Sequence, residues 1–60
     1  MKKAFCFVSE DAEYNLRRAF ALQQAIGEEE CQVFLLEFPT VAVVPVTLAA
    51  TYEQQGYDHA

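Results

Sequence analysis

The sequence predicts a small α/β unit, with a small α+β arrangement as the neighbouring possibility. Its core is read as βαβ: a sheet of two to three strands, one long helix packed on one face, and a short C-terminal helix. Three observations carry this. Two short apolar runs, residues 3–8 and 31–38, are bounded by polar residues. Between them Ala12, Leu16, Ala19, Phe20, Gln23 and Ile26 recur at helical spacing, all apolar except Gln23. The chain has 60 residues, enough for one domain spanning 1–60 and no more.

The first run has apolar residues at both parities: Phe5 and Phe7 on one side, Ala4, Cys6 and Val8 on the other. A strand covered on both faces reads this way. Ser9 is placed to cap a helix over residues 10–26, with Glu10, Asp11 and Glu13 in or near its first turn, where the helix dipole favours negative charge. Glu13 and Arg17 stand at i,i+4 spacing. Gly27 suits the left-handed residue that ends a helix. After the acidic turn Glu28, Glu29 and Glu30, residues 31–38 read as the second strand, with Phe34, Leu36 and Phe38 sharing one face. If the two strands pair, they are parallel and joined by a right-handed crossover.

Residues 40–46 are rich in β-branched side chains and suggest a third strand, which Pro45 confines to a sheet edge or ends. No Gly, Asn or Asp lies between Phe38 and Val41, so a tight hairpin is poorly signalled. Thr47 can cap a short helix over 48–55 that Gly56 ends, and residues 57–60 are expected to fray.

This organisation leaves an apolar surplus. A chain of this size buries only about 60% of its unfolded surface. Apolar residues make up 53% of the chain, which argues against disorder. The short C-terminal helix covers little, so Phe5, Phe7, Phe34, Leu36 and Phe38 are expected to form an interface on an uncovered sheet face, against a second copy or another protein. Closure by the C-terminal segment into a compact monomer is the alternative.

The net charge is −5, and all four basic residues, Lys2, Lys3, Arg17 and Arg18, lie in the first eighteen positions. That balance argues against direct nucleic-acid or anionic-membrane binding and permits a basic protein surface as partner. No apolar stretch reaches the length of a membrane span, and none forms a signal-peptide core, so a cytoplasmic protein is expected. Cys6 and Cys31 read as core thiols rather than a disulfide.

No catalytic constellation is expected. The Ser9-Glu10-Asp11 turn has no glycine to cradle a phosphate, and its carboxylates repel anions. Ser9 lacks the flanking glycines of a nucleophile elbow, and His59 is too near the C-terminus to serve it as a base. The acids flank helix ends rather than filling an apolar pocket. With one histidine and no zinc-type spacing, neither a metal nor a cofactor is expected.

The expected function is therefore a non-catalytic protein-interaction module, self-associating as a homo-oligomer. Partner binding is assigned to Tyr14, Arg17, Arg18, Glu28, Glu29 and Glu30, since Tyr and Arg anchor interfaces and the acids suit a basic surface. Its size and charge are similar to those of phage-encoded inhibitors of host nucleic-acid enzymes, anti-CRISPR proteins among them. That similarity implies an acidic inhibitor presenting carboxylates where phosphates would sit. Two other readings stand beside it: a small subunit or dimeric ligand sensor with a pocket at the subunit interface, and a fragment of a larger α/β protein, against which the Met start and the C-terminal helix weigh.

Overall fold

A computed structural model describes all residues 1–60. The elements are β1 (Phe5–Phe7), α1 (Ala12–Ile26), β2 (Cys31–Leu35), β3 (Val41–Pro45), α2 (Val46–Gln54) and β4 (Asp58–His59). The four strands form one sheet in the order β1-β3-β2-β4, and every neighbouring pair is antiparallel. β1 and β2 run parallel to each other but never touch, because β3 lies between them. This is a split βαβ unit. The expected sheet of two to three strands with a parallel pair is thereby corrected to a four-stranded antiparallel sheet in an α+β fold.

The hairpin that inserts β3 is closed by residues 36–40. Leu36 N–H donates to the Thr40 carbonyl at 3.0 Å, and Thr40 N–H donates to the Glu37 carbonyl at 2.8 Å. The Phe38–Pro39 peptide is cis and occupies the centre of that turn, the place a cis proline takes in a type VI turn.

All five residues of β3 are buried. Alternation sends Val41 and Val43 to one face, where they pack with Ala19 of α1, Cys31 and Val33. Ala42 and Val44 go to the other, with Phe34 and Ala49 of α2. The helices thus cover opposite faces of the sheet. The expectation that a short C-terminal helix could not cover the second face is corrected here. α2 has only nine residues, but Tyr52 and Tyr57 extend its reach. Phe34 stacks at 5.6 Å from the Tyr52 ring and 4.3 Å from the His59 ring.

The helix boundaries follow local chemistry. α1 starts at Ala12 rather than residue 10, because Asp11 and not Ser9 is its cap: the Asp11 carboxylate accepts from Tyr14 N–H at 3.1 Å. Gly27 ends the helix with φ 122°, and its N–H donates to the Gln23 carbonyl at 2.7 Å. Residues 57–60 are not frayed. β4 pairs with β2, Ala60 N–H donates to the Val33 carbonyl at 2.9 Å, and Tyr57 N–H donates to the Tyr52 carbonyl at 3.2 Å. No helix is long and apolar enough to cross a membrane.

Candidate interaction surface

The five residues expected to share one interface face are dispersed by the sheet order. Phe5 pairs with Val43 and Phe7 with Val41, which puts both rings on the α1 face. Phe34 pairs with Ala42 on the α2 face and is fully buried. Leu36 is half-buried against the same α2-side cluster. Phe38 sits in the hairpin turn, 86% exposed. The surface formed by all five is therefore corrected: β3 between β1 and β2 sets their faces apart.

The helix α1 places the predicted partner-binding residues. The Arg18 guanidinium lies over the Phe7 ring at 4.8 Å and the Tyr14 ring at 5.3 Å, a cation held against two aromatic faces. Arg17 instead pairs with Glu13 at 2.6 Å on the open surface, where such a pair adds little stability. Glu28, Glu29 and Glu30 are exposed on the turn after α1, and Glu28 accepts from Gln24 Nε2 at 2.6 Å. The acidic turn and the Tyr14–Arg18 pair thus sit near opposite ends of α1 and do not form one patch.

The two edges of the sheet are treated differently. On the β2 side, β4 pairs with Phe34 and Leu35. The next stretch of that edge is closed by Gln23, whose Nε2 donates to the Cys31 carbonyl at 3.1 Å. Gln23 breaks the apolar stripe read for α1, and this bond is its reason. On the opposite side, β1 has no neighbour beyond it, and no side chain bonds to its backbone. Beside it runs an apolar groove lined by Phe5, Cys6, Phe7, Arg18, Ala21 and Leu22. Phe5 is 52% exposed there. Cys6, expected in the core, is exposed because α2 lies over β2 and β3 and does not reach β1.

A second concavity of about 630 Å³ lies between the hairpin turn and the end of α2. Its polar lining is Glu37, Thr40, Gln55 and Asp58, with no Cys, His, Lys or Arg among its walls. No group of three His, Cys, Asp or Glu side chains could hold a metal ion. The buried Cys31 thiol has its pKa raised, by burial first and by the neighbouring Glu30 carboxylate second. Its hydrogen contacts the Gly27 carbonyl at an S···O distance of 3.6 Å. A thiol held neutral and enclosed in this way is a packing group rather than a nucleophile.

One residue that matters to this geometry, Asn15, was not singled out from sequence, and another, Cys6, was expected on the wrong side of the core boundary. Asn15 is fully buried and ties the loop after β1 to the hairpin turn. Its signal was present: it stands three residues after Ala12 and four before Ala19, a polar side chain on the buried stripe. Cys6 carried no such signal, because its exposure follows from the sheet order. No protein-family model, curated protein or solved structure matches this chain.

Proposed function

We propose that the chain is a non-catalytic protein-interaction module that binds a protein partner through the free β1 edge and the adjoining α1 groove. The observation that carries this reading is the asymmetry of the sheet: one edge is closed by β4 and Gln23, whereas β1 keeps an unpaired backbone beside an apolar groove. An unpaired edge is a template for strand addition, in which main-chain bonds supply affinity and neighbouring side chains supply selectivity. Phe5, Phe7 and Tyr14 offer the aromatic contact area, and Arg18 the charge. The inhibitor role expected from size and charge gains no further feature from the fold.

The test is capture from a cell lysate by the wild-type chain and by Cys6→Pro, which removes an edge N–H and keeps the other groove residues, Phe5, Phe7, Arg18, Ala21 and Leu22. A partner retained by the wild type and lost by the variant supports binding at β1. Equal capture by both moves the binding surface elsewhere. Recovery of nothing above background by a chain that is also monomeric in solution counts against an interaction module.

A further inference from the structure

We infer that β1 pairs antiparallel with β1 of a second copy about a two-fold axis through Cys6, joining two four-stranded sheets into one of eight. The inference rests on the reading of β1 as the interaction edge and names the occupant of that edge.

The backbone parity comes first. Val46 N–H donates to the Glu30 carbonyl at 3.1 Å, and Leu36 N–H to the Thr40 carbonyl at 3.0 Å. These two bonds bracket the β2–β3 ladder, whose register runs from Cys31 opposite Pro45 to Leu35 opposite Val41. In an antiparallel ladder bonded and non-bonded pairs alternate. Ala42 and Val44 therefore bond to β2, and Val41 and Val43 turn their backbone groups toward β1. Their partners Phe7 and Phe5 are the bonded residues of β1. The N–H and C=O of Cys6 consequently point away from the sheet, as do those of its second neighbours Ala4 and Val8 in extended chain.

A closed dimer uses the same surface on both copies. With outward groups at Ala4, Cys6 and Val8, an axis through Cys6 makes Cys6 its own bonded partner and sets Ala4 against Val8 on either side. The length of β1 selects this register: only an axis through Cys6 sets all three residues Phe5–Phe7 against those of the second copy. Shifting the axis to Phe5 or to Phe7 leaves only that one residue of β1 opposed to β1 of the second copy. The axis through Cys6 also brings Lys2 and Lys3, before the start of β1, toward Glu10 and Asp11, after the end of β1 in the second copy. Lysine beside an edge strand normally opposes strand addition; here each lysine meets the acidic end of the other copy rather than another lysine.

The side chains agree. A two-fold axis normal to the sheet keeps both α1 helices on one face and puts Phe5 opposite Phe7 of the second copy. The helices, each over its own β3, then stand about 14 Å apart, three strand spacings. Direct helix packing needs about 8–10 Å, so bulky groups must fill the gap. Phe5, Tyr14 and Arg18 line that side, and Phe5 and Tyr14 are each 52% exposed in the single chain.

Sedimentation equilibrium over a wide concentration range tests this with three proteins besides the wild type: Cys6→Pro, Lys2→Glu, and the double variant Lys2→Glu with Glu10→Lys. The wild type is expected to dimerise. Cys6→Pro should stay folded by circular dichroism, since the N–H it removes bonds to nothing within the chain, yet sediment as a monomer. Lys2→Glu should weaken the dimer about fivefold across its two symmetric contacts, and the double variant should restore it. Should Cys6→Pro not fold, the charge exchange decides alone. A wild type that stays monomeric overturns self-pairing while leaving β1 open to another protein, which the lysate capture reads separately. A dimer of unchanged affinity in folded Cys6→Pro, or no recovery in the double variant, overturns the β1 register.

Discussion

The side-chain amide of Asn15 donates to the backbone carbonyl of Pro39 at 2.9 Å, across 24 positions of sequence. The same nitrogen reaches the Ser9 carbonyl at 3.2 Å, and Asn15 Oδ1 accepts from the Ser9 hydroxyl at 2.7 Å. One fully buried amide therefore fixes the start of α1 to the turn that places β3 in the sheet. Asn15→Ala removes the partner of the part-buried Ser9 hydroxyl and of the Ser9 and Pro39 carbonyls. A loss of about 2–4 kcal/mol is expected, read as a fall in the urea midpoint at unchanged slope. A loss under about 0.5 kcal/mol would show that the amide does not hold the two loops together.

Removing residues 57–60 is expected to expose one face of Phe34. Tyr57 and His59 cover that region, with Tyr57 5.9 Å from Tyr52 and His59 4.3 Å from Phe34. Uncovering a large aromatic side chain costs about 1.5–3 kcal/mol, and the bonds from Tyr57 and Ala60 are lost with it. The melting temperature should drop by roughly 10–20 °C. An unchanged melting curve would mean that α2 covers Phe34 unaided.

Alkaline pH should destabilise the fold partly through Cys31. An unfolded thiol ionises near about pH 8.5. In the folded chain burial, reinforced by Glu30, raises the value. Between the two values the folded chain holds one more proton, so this contribution is complete below about pH 8.5 and is lost as pH rises toward the folded pKa. Urea midpoints measured from pH 7 to 10.5 should therefore fall more steeply for the wild type than for Cys31→Ala. Parallel slopes would remove Cys31 from the account.

What could be read from sequence was whatever depends on neighbours along the chain. The spacing of Ala12, Leu16, Ala19 and Ile26 located α1, Gly27 ended it, and the apolar runs located β1 and β2. What could not be read was whatever depends on strand order. Pro45 argued for an edge, yet it closes the central strand. By the ladder parity its missing N–H would face the β1 side, opposite Lys3, where β1 has not begun, so no ladder bond is lost. The hairpin turn lacked glycine because a cis proline takes its place. The interface residues were grouped by supposing that β1 and β2 pair. With β3 between them, Phe5 and Phe34 face opposite helices, and the uncovered surface lies along an edge rather than on a face. Tyr14 and Arg18 remain beside that surface because they sit on the side of α1 nearest β1.

The junction of Pro45 and Val46 bears on how copies of this chain can exchange parts. β3 ends at Pro45 and α2 begins at Val46 with no connector, and Val46 is tied to Glu30 through its backbone N–H. Arm exchange between protomers needs a stretch of chain that can straighten to carry the arm across. None exists at this point, so α2 cannot be traded without drawing the central strand out with it. The covering of the Phe34 face by α2 is thereby bound to the placement of β3 in the sheet.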